Sequence, residues 1–206
     1  MHQEALIREG KELFPLLEKF PEYYLAGGTA LALQLGHRIS VDFDLFHDTE
    51  IPPTVLTKVK KVFAEYSVLP SVNNPNELTV FVNTVKITFL HYPFPLVRPL
   101  VPLEGAVRAA SIQEIAAMKA YTIGRRTSFK DYVDMYEIIA AGHIMLPEVM
   151  KLALEKYKNE FNDRLFLEQL LSLDEVEDEE IRFLQSPVSR MQVQRFFEEQ
   201  IKSLKL

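Results

Sequence analysis

Residues 24–46 read YLAGGTALALQLGHRISVDFDLF, and the order of residue types here sets the fold expected of the chain. Apolar Tyr24, Leu25 and Ala26 run into Gly27, Gly28 and Thr29, an Ala/Leu-rich segment follows, and Gly36 closes it. That pattern predicts a strand over 23–26, then a short helix over 29–35 with a glycine cap. The stretch returns as Asp42-Phe43-Asp44-Leu45-Phe46, where acidic and large apolar residues alternate with the period of a half-buried strand. Asp42 and Asp44 then point to one side, Phe43 and Leu45 to the other. Two neighbouring carboxylates on a rigid strand repel each other unless a cation lies between them. Hard oxygen ligands of this kind suit Mg2+ or Mn2+ held together with substrate phosphates. The Gly-Gly-Thr turn ahead of a helix adds complementary chemistry: glycines let backbone approach a phosphate, and helix N-terminal N–H groups attract it.

Working outward, residues 3–20 predict a helix with Leu6, Ile7, Leu13, Leu16 and Leu17 inward, kinked or split by Pro15. Pro52-Pro53 opens a helix to about residue 66 with Val55, Leu56, Val59, Val62 and Phe63 on one face. Strands are expected near 66–72, 78–82 and 85–91, the last two joined by a tight Asn83-Thr84 turn, with an edge strand at 101–103. From Ser111 the pattern turns helical. Ser111 and Glu114 read as a capping box for a helix to about Gly124, followed by helices at 128–141, 147–157, 162–172 and 189–204. The expected architecture is α/β (α+β): a small mixed sheet over residues 1–105 and a helical region over 106–206.

Composition narrows the function classes. A 48% hydrophobic share with 25% charged residues over 206 residues is ordinary globular composition. The absence of cysteine excludes disulfides, thiolate zinc and cysteine nucleophiles. The five histidines show no zinc-ligand spacing. The longest uncharged run, 23–37, is too short to span a bilayer, and no basic-then-apolar leader opens the sequence. A cytoplasmic protein with no membrane partner is expected. The net charge of −6 argues against a wholly basic, nucleic-acid-binding surface. Residues 174–180 hold six carboxylates in seven positions. They read as a solvated loop or helix start, or else as a docking patch for a basic partner.

Gly-Gly, a short helix and an Asp-x-Asp strand, with His37, Arg38 and Ser40 in place, resemble the signature of the DNA polymerase beta-like nucleotidyltransferase superfamily. The full wording is similar to that of the AbiEii/AbiGii-type nucleotidyltransferases, a family that includes toxins of bacterial toxin–antitoxin systems. A second block resembles the same family's helical segment: residues 110–119 with Lys119, then Arg126, then Lys130, Asp131, Asp134 and Tyr136. The resemblance implies a nucleotidyltransferase fold and transfer of a nucleotidyl group from an NTP to an acceptor hydroxyl, on tRNA or on a protein, with an antitoxin as partner. It implies that Asp42 and Asp44 hold Mg2+ (or Mn2+) and are catalytic together with Lys119 and Asp131. Gly27, Gly28, Thr29, Arg38, Ser40 and Arg126 are the implied nucleotide contacts, with Lys119 and Arg126 neutralising the triphosphate. Asp131 is expected to orient one of these cations, and Asp134 to pair with Lys130 at the four-residue spacing.

One position departs from the superfamily's pattern. Thr88 stands where a third carboxylate is expected, and the nearby Glu77 and Glu104 do not match the pattern. Three readings therefore remain: an enzyme working with two carboxylates, a nucleotide- or RNA-binding module without catalysis, and an interaction protein that uses the acidic run.

Overall fold

A computed structural model of the chain describes residues 1–126, 128–177 and 179–204. They form two compact units, Met1–Pro95 with Pro99–Ser111, and Leu96–Arg98 with Ile112–Leu206. Thr127, Asp178 and the last two residues lie outside the described set. The architecture is the expected mixed α/β one.

The first unit is built on a seven-stranded mixed sheet. Its strands are β1 (Tyr24–Ala26), β2 (Phe43–His47), β3 (Val68–Asn73), β4 (Glu77–Val82), β5 (Val85–His91), β6 (Leu100–Val101) and β7 (Ala109–Ala110), in the order β3-β4-β5-β2-β1-β7-β6. β1 runs antiparallel to β2, and β2 runs parallel to β5. The turn between β4 and β5 holds two residues, with Val82 opposite Val85 and Asn83 at φ 52, the conformation that favours asparagine in tight hairpins. The pleat divides the sheet by residue type. Phe43, Leu45, Leu78, Val80, Val82, Val85, Ile87 and Phe89 are fully buried on one face. There Phe43 stacks on Phe14 at 6.1 Å, and Phe89 meets Phe20 at 5.0 Å.

Helices close that apolar face. α1 (Arg8–Leu13) gives way to a 3-10 segment, Phe14–Lys19, with Pro15 in its first turn. The proline splits the helix because its ring cannot supply the N–H that the preceding turn needs. α2 (Gly27–Leu35) ends in Gly36 at φ 64, whose N–H donates to Ala32 O at 2.8 Å. α3 (Thr54–Val62) buries Val55 and Val59. The pair β6–β7 was only half foreseen, since two alanines carry little strand propensity. Ala109 is a strand residue because Leu25 lies beside it in register.

The second unit holds α4 (Ile112–Thr122), α5 (Phe129–Ala140), α6 (Leu146–Tyr157), α7 (Asp163–Leu171) and α8 (Arg190–Lys202). Its N-terminal segment is held by a buried charge. The Glu114 carboxylate accepts from the N–H groups of Val97 (3.0 Å) and Arg98 (2.8 Å) and from Lys156 Nζ at 2.6 Å. Glu114 and Lys156 are almost wholly buried, so this pair fixes α4, α6 and residues 96–98 to one another. No helix among the described residues is long and apolar enough to cross a membrane.

Candidate active site

The polar face of the sheet in the first unit carries the Gly-Gly turn and the paired aspartates. β1–β2 pairing sets Ala26 opposite Asp44, so Gly27 begins α2 directly beside that aspartate. Gly27 has φ +67, and a Cβ placed on it would lie 2.9 Å from Asp44 Oδ2. Only glycine suits that conformation and that approach together. The Asp44 carboxylate thus rests at the N-terminus of α2, where the helix dipole favours negative charge. Gly28 follows in the first turn of the same helix.

Thr29 and Ser40 have a different relation to the site from the expected one. Thr29 is 2% exposed, and its hydroxyl contacts Ser40 Oγ at 2.7 Å and the Asp42 carbonyl oxygen. Ser40 N–H donates to Ala5 O at 2.8 Å. The threonine ties the start of α2 to the backbone that carries Asp42, and its hydroxyl faces inward. Arg38 is also buried, with Nη1 donating to Ile39 O at 3.2 Å. Burial of Thr29 and Arg38 makes them struts of the loop between α2 and β2.

Across the sheet, the parallel pairing of β2 with β5 brings Asp44 level with Thr88, and β4–β5 pairing brings Thr88 level with Thr79. Asp44, Thr88 and Thr79 therefore form a row on one face. Thr79 Oγ1 donates to Glu77 Oε1 at 2.6 Å. Thr88 is 6% exposed; it shares the face of Asp44 and adds no charge to it. Lys86, two residues earlier on β5, shares this face and sets its ammonium 3.1 Å from Asp42 Oδ2. Lys86 was not singled out from the sequence, although the alternation of Lys86 and Thr88 with apolar Val85, Ile87 and Phe89 carries the signal.

Among the described residues no three His, Cys, Asp or Glu side chains are grouped to hold a metal. Two carboxylates on one face do fit an ion such as Mg2+ that keeps waters and completes its shell with substrate phosphates. They do not form a protein-only cage.

The second unit gathers the other implied residues around one buried lysine. α4 ends at Thr122, and Arg126 follows a turn with Gly124 at φ +79. Lys119 is 4% exposed, with Nζ 2.5 Å from Asp131 Oδ1 and 2.6 Å from Asp134 Oδ2. Asp131 also accepts from Arg126, whose Nε lies 2.6 Å from Oδ2 and Nη2 2.8 Å from Oδ1. Burial pushes the Asp131 carboxyl up, but Lys119 and Arg126 outweigh it and hold it below the ordinary carboxylate value. The Arg126 side chain stays 60% exposed. Lys119 is thus enclosed between two carboxylates, while Arg126 combines an anchored geometry with an open surface.

Asp134 pairs with Lys119, whereas Lys130 reaches Glu179 Oε1 at 3.4 Å. The expected Lys130–Asp134 pair gives way because Asp134 is fully buried against α4 while Lys130 stays part-exposed. Glu179 also accepts from Ser128 Oγ at 2.7 Å and from the Lys130 N–H at 3.2 Å, which makes it a cap for α5. This member of the acidic run is anchored within its unit; Asp178 of that run lies outside the described residues.

The fold is shared with solved structures from Helicobacter pylori. A putative nucleotidyltransferase from H. pylori is similar with a TM-score of 0.59 at 17% identity, covering 100% of this chain and 98% of that one. The structure of JHP933 from Helicobacter pylori is similar with a TM-score of 0.54 at 16% identity, covering 98% and 96%. The overall fold is thus shared with these structures. An uncharacterized protein of Aquifex aeolicus (strain VF5) is 32% identical over 153 residues, 74% of each chain. The family model described as nucleotidyl transferase AbiEii toxin, type IV TA system, matches residues 11–205. The chain belongs to this family of nucleotidyltransferase toxins.

Proposed function

We propose that this chain is a metal-dependent nucleotidyltransferase that moves a nucleotidyl group from an NTP to an acceptor hydroxyl, and that it is the toxin of a toxin–antitoxin pair. The observation that carries the reading is the seat of Asp44: its carboxylate lies against Gly27 at the start of α2, and Lys86, on the same face of β5, pairs with Asp42. The acceptor is a hydroxyl of an RNA such as tRNA, or of a protein side chain.

In the reaction, the acceptor oxygen forms a bond to the α-phosphorus and the bond from that phosphorus to the bridging oxygen breaks. Pyrophosphate leaves, and the acceptor proton passes to solvent. Asp42 and Asp44 would hold a Mg2+ ion, whose charge would stabilise the phosphates and the leaving pyrophosphate. Gly27 and Gly28 let the backbone of α2 approach the phosphates, and the helix N-terminus attracts them. Thr29 and Ser40 hold the backbone of Asp42 in place. In the second unit, Asp131 anchors the exposed Arg126 guanidinium, and Lys119 with Asp134 holds Asp131 in place. Lys119 and Asp131 are positioning residues in this account.

Thr88 favours the second reading, a nucleotide- or RNA-binding module without catalysis, because a buried hydroxyl stands level with Asp44 where a carboxylate would assist the metal. Labelled-NTP incorporation into bulk tRNA, with each of the four NTPs, separates the two. Incorporation by the parent and its loss in Asp44→Asn supports the enzyme. Binding of Mg-NTP without incorporation into tRNA or into the proteins of a cell extract supports the module.

A further inference from the structure

The polar face of the sheet holds two carboxylates and one ammonium, and the ammonium has a defined place. Lys86 lies on β5 two residues before Thr88, so the pleat aims it to the face of Asp44, and its Nζ sits 3.1 Å from Asp42 Oδ2. Its side chain and that of Asp42 are both 39% exposed, so the pair stands at the open edge of the face. We propose that this site works with a single divalent ion, and that Lys86 is the second cation of the transfer reaction. The proposal rests on the nucleotidyltransferase reading above.

The argument is one of charge and donor count. Two-ion phosphoryl-transfer sites hold their cations about 3.5–4 Å apart and use them to stabilise both the attacking and the leaving oxygen. Such a pair carries four positive charges and needs carboxylates to bridge it. This face offers two carboxylates, and Asp42 already faces an ammonium. Level with Asp44, β5 and β4 contribute Thr88 and Thr79, which are neutral and buried. The next carboxylate on that face, Glu77, accepts from Thr79 Oγ1 at 2.6 Å. A second divalent ion beside Asp42 would meet the Lys86 charge at contact range. One ion, shared by Asp44, Asp42 and the substrate phosphates, fits this set.

Lys86 then has a task beyond the ion pair. An ammonium has three N–H donors and no acceptor, so contact with Asp42 leaves donors for a phosphate oxygen. Placed there, Lys86 neutralises charge on the transferring phosphoryl group from the side the ion does not reach. It also orients Asp42 before any ion enters.

The test counts ions and reads the rate separately. Mn2+ titration of the full chain, followed by electron paramagnetic resonance with a saturating non-hydrolysable NTP analogue, is expected to give one tightly held ion per chain. Two tightly held ions in the parent would overturn the proposal. In Lys86→Met the Asp42 carboxylate is released, so Mn2+ binding without nucleotide should tighten by about tenfold, as for loss of a neighbouring like charge. Transfer should slow by about 100-fold, the scale of losing one preorganised donor at a reacting phosphoryl group. Lys86→Arg should recover much of that rate while still giving one ion. Unchanged metal affinity and unchanged rate in Lys86→Met would make Lys86 an ordinary surface lysine and sink the proposal. Failure of the underlying reading looks different: the parent itself would bind no metal–nucleotide complex, and Asp44→Asn would change nothing.

Discussion

The sheet unit and the helical unit each gather two aspartates and a lysine, and they treat them in opposite ways. On the sheet, Asp42 and Lys86 are both 39% exposed and 3.1 Å apart. Among the helices, Lys119 is 5% exposed, Asp131 1% and Asp134 0% by side chain, at 2.5 and 2.6 Å. The same charges are open to exchange partners in one place and closed to them in the other. A solvated ion pair contributes little to stability and keeps its carboxylate available to a ligand. A buried one cannot lose a partner without leaving charge stranded in a poor solvent. The resemblance implied metal or nucleotide contacts for Asp42, Asp44 and Lys119 alike, whereas Asp134 was expected to pair with Lys130 and Lys86 was not singled out. Burial sets the exposed Asp42–Lys86 pair apart from the enclosed Lys119 cluster.

The contrast is broken most sharply at Lys119. Lys119→Met removes the cation shared by Asp131 and Asp134 and should lower stability by about 3–5 kcal/mol, the cost of breaking a buried pair from one side. Adding Asp134→Leu should recover part of that loss, because one stranded carboxylate goes with it. Urea denaturation of the two variants checks both outcomes. If Lys119→Met melts like the parent, the cluster is not a structural clamp.

Gly27 tests the other side. Gly27→Ala adds a Cβ at φ +67 and 2.9 Å from Asp44 Oδ2, so it combines left-handed strain of about 1–2 kcal/mol with displacement of the carboxylate. Thermal melting should show the modest loss, and calorimetry with Mg-NTP should show that nucleotide binding is gone. Intact binding would reduce Gly27 to a turn residue.

A smaller effect follows from acid titration. The folded-state value of Asp131 lies below its ordinary one. The stability it contributes is complete above the unfolded value of about 4 and is lost as pH falls through the lowered folded value. Melting temperatures taken between about pH 5 and 2 should therefore fall more steeply for the parent than for Asp131→Asn. Equal slopes would contradict the lowered value.

How much of this was written in the sequence depends on whether the governing interaction is local. The break at Pro15, the cap at Gly36 and the Asn83 turn were legible because each rests on backbone rules within a few residues. The short β7 strand was not: Ala109 and Ala110 have no preference of their own and take their state from Leu25. The buried Glu114–Lys156 pair joins residues 42 positions apart, and no spacing rule reaches that far. Lys119 and Arg126 meet through Asp131 only after α4 has ended, a contact that depends on how α5 packs. The candidate carboxylates were readable by type and face. Which cations attend them was decided by tertiary packing.

The central claim is that Asp42 and Asp44 form an open, ligand-binding face. Isothermal calorimetry with Mg-NTP on the parent and on Asp44→Asn tests it most directly, with a melting curve beside each. The account predicts saturable Mg2+-dependent binding in the parent, its loss in Asp44→Asn, and closely similar melting temperatures. A folded Asp44→Asn chain that binds Mg-NTP as tightly as the parent would contradict it.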